Sequence, residues 1–245
     1  MKDVAREYLT TLQYGEIELR GEFLWGYNYT FLTSIHHDGV TWPAVYKPTR
    51  GEQPLWDFPR ASLARREVAA YLVSENLGWE LVPPTVFRSD APLGGGSLQL
   101  FIEHDPEYHY FTFNLDELQR LRATCLFDIL INNADRKGSH ILINPDGHIW
   151  LIDHGLCFHA EDKLRTVIWD FVGEAIPDDL IYDLERFIVQ TNPPDGHSSD
   201  ISLALKQQIS NDEFETLVDR AHRLVDSRHF PAPDATRRSY PWPQI

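Results

Sequence analysis

The sequence predicts an α+β fold in which strands dominate residues 1–103 and helices dominate the remainder. Three patterns carry this expectation. Residues 16–48 and 85–103 hold short runs of alternating apolar and polar side chains, the period of a half-buried strand. Residues 114–131 and 177–226 repeat their apolar positions every three to four residues, the period of a helix. Between those helical stretches, residues 128–159 read DILINNADRKGSHILINPDGHIWLIDHGLCFH, a tight hairpin with a carboxylate on either side.

Composition narrows the function. Of 245 residues, 42% are hydrophobic, enough for a sizeable core. No apolar run approaches the roughly 20 residues a membrane-spanning helix needs. The N-terminal MKDVAREYLTTLQYGE is charged and amphipathic, without the apolar core of a signal peptide. Cys125 and Cys157 lie in apolar runs with no metal-ligand spacing and read as buried thiols of a cytoplasmic protein. A formal net charge of −15 disfavours nucleic acid, whose affinity comes largely from phosphate neutralisation, and disfavours stable docking on anionic lipid. The partner expected is therefore soluble.

Residues 3–14 place Val4, Tyr8, Leu9 and Leu12 at helical spacing. Two strands come next within residues 16–35, EIELRGEFL and YNYTFLTSI, with Gly26 in their connection. His36-His37-Asp38-Gly39 is a turn, and residues 41–48 form a strand ending at Lys47. A lysine there needs a partner, because burying an ammonium alone is costly. Residues 62–77 form a helix that Ser62 can cap and Gly78 ends, with Leu63, Val68, Leu72 and Leu77 in its apolar stripe. Glu67 shares a face with Ala64 and Tyr71. Residues 85–88 and 96–103 are two more strands around the flexible DAPLGGG, the second reading as an edge strand that runs into a linker. HDPEYHYFTF then crosses to the helical part, and its His104 and His109 leave a metal site open as a reading. Asn114 and Glu117 form a capping box for a helix expected to run to about Ile131, apolar on most faces near its end and so buried.

That helix leads into the polar loop ADRKGSH, opened by Asp135. Residues 140–143 and 148–152 are short strands joined by Asn144-Pro145-Asp146-Gly147, where Asp-Gly supplies the positive φ a hairpin turn needs. Asp153 comes directly after the second strand, and Gly155 lets the chain turn away. Pairing the strands brings His140 and Asp153 together, with Asp135 on the loop above. Oxygen and imidazole ligands gathered this way suit a divalent cation carrying phosphates, and Asp135 is placed to accept a proton from an attacking hydroxyl. Farther on, Lys163 and Arg165 are candidates to contact an acidic substrate or a phosphate. Residues 177–190, 200–210 and 211–226 read as amphipathic helices, the last with a capping box of Ser210 and Glu213. Residues 229–245 carry four prolines and no helical period, which leaves either a disordered tail or an extended strap.

Asp135, His140 five residues on, and Asp153-His154-Gly155 after the hairpin together resemble the catalytic segment of the protein-kinase-like superfamily. NNADRKGSH with IDHG and KLRTVIW resembles a bacterial branch of its phosphatidylinositol 3-/4-kinase-like family. That family usually carries Asn where this chain has His140, and Phe where it has His154. The resemblance implies a bilobal fold: a β-rich N-lobe over residues 1–103, an α-rich C-lobe over 104–228, and a Pro-rich tail over 229–245. It implies that Lys47, in Val-Tyr-Lys-Pro, holds the α- and β-phosphates of ATP. Its partner is then Glu67 rather than Glu75, which lies near the helix C-terminus, where the dipole disfavours an acid. Asn28 and Thr30 fall in the phosphate-covering hairpin. Leu100, Phe101, Ile102 and Glu103 fall in the hinge whose backbone meets adenine.

The activity implied is transfer of a phosphoryl group from ATP to a hydroxyl of a soluble protein or small molecule. Asp135 acts as base, Lys137 neutralises the γ-phosphate, and His140 with Asp153 binds Mg²⁺ or Mn²⁺. Arg136 reads as a structural contact of the loop. Because an imidazole binds metal only when neutral, activity is expected to fall below about pH 6.5. Three rivals are a pseudokinase acting as a nucleotide-binding scaffold, an AMP transferase on the same fold, and a metal-dependent hydrolase. The last gives Lys47 and Glu67 no role.

Overall fold

A computed structural model describes residues 2–23, 29–193 and 198–245; Asn28 lies outside the described residues. The chain opens with helix α1 (Lys2–Tyr14) and strands β1 (Glu16–Phe23), β2 (Thr30–His37) and β3 (Val40–Pro48). Helix α2 (Leu63–Leu77) precedes β4 (Thr85–Arg88) and β5 (Gly96–Leu100). These strands make one antiparallel sheet in the order β1-β2-β3-β5-β4. The expectation of an edge strand over 96–103 is corrected: β5 lies between β3 and β4, is buried throughout, and ends at Leu100, so β4 is the edge.

Strand alternation explains how the sheet serves two helices. Successive residues of β3 point to opposite faces. Tyr46 joins Leu12, Ile35, Val86 and Leu98 in a cluster under α1, while Lys47 faces α2. Arg88 is buried and donates to the carbonyls of Leu12 and Gly15, 3.1 and 3.0 Å away, closing the C-terminal end of α1.

Ser62 does not cap α2. Its own backbone is helical, and its hydroxyl donates to Pro59 O at 2.7 Å. Glu52 supplies the missing acceptor, with Oε1 3.0 Å from Ala64 N, so a residue distant in sequence serves the helix start. Gly78 ends α2 in the left-handed conformation, as anticipated.

The second half is helical around a large core that includes Leu126, Phe127, Leu130, Leu184, Phe187 and Leu217. The helix expected over 114–131 is two: α3 (Leu115–Gln119) and α4 (Arg122–Ile131). Tight turns from Arg120 N to Glu117 O and Leu121 N to Leu118 O break it. The break reconciles an exposed first piece, with Leu115 78% exposed, and a fully buried Leu121 at the head of the second. The capping box of Asn114 and Glu117 is present.

Strands β6 (Ile141–Ile143) and β7 (Ile149–Leu151) pair as the expected hairpin, with Gly147 at φ +78°. His140 lies one residue before β6, in a single 3₁₀ turn. Helices α5 (Asp178–Thr191), α6 (Asp200–Lys206) and α7 (Asn211–Ser227) complete the fold; α6 stops short of the expected residue 210. The Ser210–Glu213 capping box opens α7. Residues 229–245 resolve the open alternative as a strap: Phe230 is buried, Ser239 O accepts from Thr166 N at 3.1 Å, and Gln244 O from Gly138 N at 2.7 Å. Among the described residues, no helix is long and apolar enough to cross a membrane.

Candidate active site

Lys47 is the meeting point of the two halves. Its Nζ lies 2.5 Å from Glu67 Oε1 on α2 and 2.5 Å from Asp153 Oδ1 beyond β7. Burial works against the ammonium, but Asp153 and Glu67 outweigh it and hold the amine protonated well above its ordinary range. Lys47 in turn holds the Asp153 carboxyl far below the usual carboxylate range, against burial. Glu67 is itself anchored, its second oxygen accepting from His154 N at 2.9 Å. Glu75 is exposed, as expected of the weaker candidate.

Asp153 occupies the left-handed region at φ +65°, a conformation non-glycine residues adopt sparingly and functional sites often retain. The chain therefore turns at Asp153 itself. Gly155, assigned that task from sequence, does not adopt a positive φ; a Cβ there would meet Leu63 Cβ at 3.4 Å.

His140 Nε2 lies 3.3 Å from Asp153 Oδ2, so the predicted pair does come together. Burial pulls the His140 pKa down to about 4, against the opposing pull of Asp153. This corrects the expected fall in activity below pH 6.5: the imidazole is already neutral well below that value. Its Nδ1 is buried without a partner among the described residues.

Asp135 is half-buried on the loop, with Lys137 Nζ 3.4 Å from its Oδ2. Burial raises its pKa, and Lys137 opposes the rise. Lys47, Glu67, Asp135, Lys137 and Asp153 all line one cleft of about 760 Å³. Thr30, Glu52 and Leu55 line it too, and the last two come from a segment that carries no recognisable motif. In the segment expected to be the hinge, the N–H groups of Leu100 and Phe101 donate to Pro84 O and Pro43 O, at 2.9 and 3.0 Å. Ile102 O accepts from His104 Nδ1 at 2.8 Å.

Beneath the loop is a network the spacing of motifs did not disclose. Asp128 and Arg136 are fully buried, with Arg136 Nε 3.0 Å from Asp128 Oδ1. Asn133 and Thr166 also donate to Asp128, at 3.0 and 3.1 Å. Arg136 reaches on to Ile152 O at 2.8 Å and His140 O at 3.2 Å, and so clamps both ends of the hairpin. Its Nη2 donates to His154 Nε2 at 2.8 Å, which puts the His154 proton on Nδ1. Burial, with Arg136 next, keeps that imidazole neutral. A signal was present in the sequence: an acid inside the apolar run FDILI must be partnered if buried. The structural reading of Arg136 agrees with these contacts. Lys163, offered as a phosphate contact, is instead paired with Asp57 at 3.0 Å and Glu161 at 3.5 Å.

Among the described residues, no three His, Cys, Asp or Glu side chains converge as a metal cage. The pair Asp153 and His140 nevertheless fits a phosphate-bound cation, since such ions take one or two protein ligands and complete their shell with phosphate oxygens and water. Cys125 and Cys157 are free and buried, as read from sequence.

The model of the family described as phosphatidylinositol 3- and 4-kinase matches residues 62–202, from the N-terminus of α2 into α6. Protein Rv2133c of Mycobacterium tuberculosis is 38% identical, covering 94% of this chain and 92% of its own length. Phosphatidylinositol 4-kinase gamma 4 of Arabidopsis thaliana is 34% identical across 46% of this chain but only 24% of its own length. The crystal structure of the Golgi casein kinase with Mn/ADP bound aligns with 100% of this chain and 81% of that one, at a TM-score of 0.59 and 15% identity. That likeness establishes the fold as protein-kinase-like, a β-rich lobe set against a helical one. With the family model spanning more than half of its residues, the chain belongs to the phosphatidylinositol 3-/4-kinase-like family.

Proposed function

We propose that the protein is an ATP-dependent phosphotransferase acting on a hydroxyl of a soluble protein or small molecule. The observation that carries this is Lys47 bridging Glu67 and Asp153 at 2.5 Å across the cleft. A buried ammonium shared by two acids from opposite lobes is costly as a structural device alone. It is suited to receive phosphate oxygens, with Glu67 fixing the amine when Asp153 turns to a cation. In this reading Ile102 and Glu103 offer the hinge backbone to adenine, because Leu100 and Phe101 have spent their N–H groups on the sheet.

Asp153 and His140 would hold the Mg²⁺ or Mn²⁺ that offsets charge on the transferring group. Imidazole is a softer donor than carboxylate, which favours Mn²⁺ over Mg²⁺. Asp135 takes the proton of the acceptor hydroxyl; its raised pKa makes it a stronger base than an exposed carboxylate. Lys137, 3.4 Å from Asp135, neutralises the γ-phosphate. The net charge of −15 supports a soluble acceptor over an anionic membrane, and the buried free thiols support a reducing cytoplasm.

Product analysis tests the reading. With ATP and Mn²⁺ the wild type is expected to release ADP, and Asp135→Asn to slow release by about 100-fold or more, the usual worth of a general base. Release of pyrophosphate with transfer of AMP would contradict it, as would an unchanged rate in the variant.

A further inference from the structure

A second cavity, of about 820 Å³, opens between α7, residues 160–165 and the C-terminal strap. We propose that it binds a phosphate ester through Arg165, Arg220 and Arg223, apart from the nucleotide cleft. The proposal does not depend on the phosphotransferase reading: its residues are different ones, although the charge of Arg165 also reaches Asp135.

The charge of the lining is the first observation. The chain has 37 acids against 22 lysines and arginines, yet six basic side chains line this one cavity. Three already have partners within the protein. Lys163 pairs with Asp57 at 3.0 Å, Arg237 with Asp234 at 2.8 Å and Asp162 at 3.4 Å, and Arg238 Nε donates to Tyr240 O at 2.9 Å. Arg165, Arg220, Arg223 and Arg238 form no ion pair among the described residues, and Arg238 is turned to Tyr240 O.

Arg220 is the second. It is only 8% exposed, and although Nε donates to Leu130 O at 2.7 Å and Nη1 to His159 O at 3.4 Å, its Nη2 is buried with no partner. Asp162 and Glu213 act on this guanidinium from a distance, but neither forms an ion pair with it, and a buried cation without direct pairing is unfavourable on general grounds. Arg223 comes three residues later on the same helix, where like charges repel rather than support each other. Burial and then Arg223 lower the Arg220 pKa to about 10, so the group remains a cation at neutral pH. An anion would relieve both penalties at once. The guanidinium fork matches two oxygens of a phosphate.

The remaining wall combines three acids, Glu161, Asp162 and Asp234, fewer than the six cations, with apolar surface from Leu164, Trp169, Leu224 and Pro231. Free phosphate would leave that surface unused, whereas an ester brings an organic body to cover it. The ester can be a soluble metabolite or the headgroup of a lipid, and the test separates them.

Phenyl phosphate is titrated by calorimetry into wild type, Lys47→Ala and the double variant Arg165→Ala/Arg223→Ala. Arg223 is exposed and Arg165 half-buried, so their truncation spares the core. In parallel the three proteins are sedimented with phosphatidylcholine vesicles containing phosphatidic acid. Binding in either arm that survives Lys47→Ala and weakens about tenfold or more in the double variant supports the site. The arm that responds identifies a soluble or a lipid ester. Binding that the double variant leaves unweakened overturns the proposal, as does binding lost in Lys47→Ala or absence of binding in both arms.

Discussion

At the scale of single residues, the most consequential departure from the family pattern is His140 in place of Asn. A buried imidazole with a pKa near 4 is neutral in the folded state across the range in which an exposed histidine would charge. At this position the unfolded chain therefore binds more protons between about pH 4 and 6.5, so the contribution of His140 to stability rises with pH across that window. It is fully present above about 6.5 and lost as pH falls toward 4. His154, buried and lowered likewise, adds in the same direction, while the raised pKa of Asp135 opposes it. A comparison isolates the His140 part: without metal, the stability of wild type relative to His140→Asn should drop by about 2 kcal/mol from pH 7 to pH 5. Denaturant midpoints at the two pH values measure this. A relative stability independent of pH would mean that His140 is not held neutral by the fold.

At the scale of elements, the hairpin and its loop behave as one unit because Arg136 holds them together. Removing it as Arg136→Leu leaves Asp128 buried without a counter-charge, and the expected loss is about 3–5 kcal/mol in chemical unfolding. A loss below about 1 kcal/mol would contradict the clamp. Much of the site's skeleton was legible beforehand. The spacing from Asp135 to His140 and Asp153, the strand lysine and the helix glutamate are all short-range patterns; the fold joins Lys47, Glu67, Asp153 and His140 and sets Asp135 in the lining of the cleft that Lys47, Glu67 and Asp153 also line. What escaped was set by tertiary partners. The α2 start is served by Glu52, ten residues before Ser62, through a chain path no local rule describes. The left-handed turn fell on Asp153 rather than on the nearby glycine, because the carboxylate must reach Lys47. The break between α3 and α4 arises from the burial of Leu121, which helical periodicity alone does not foresee.

At the scale of the molecule, α2 is fastened to both lobes. Glu67 reaches Lys47 on the sheet, while Arg66 bonds Cys157 O and pairs with Glu213 of α7 in the helical lobe. The Pro-rich strap adds a further brace at the loop that carries Asp135, where Gln244 O accepts from Gly138 N, and Gly138 is buried. Deleting residues 240–245 leaves that N–H without its acceptor, and stability should fall by about 1–3 kcal/mol, read from thermal or denaturant melts. An unchanged melt would show the strap to be incidental. In the proposed function these braces serve one arrangement, in which Asp153 and His140 hold a cation and Lys47 receives phosphate across the cleft. Calorimetric titration of ATP with Mn²⁺ into wild type and Asp153→Ala tests it most directly. Metal-dependent binding by the wild type, weakened about tenfold or more in the variant, is the predicted result; equal binding by both proteins would contradict the account.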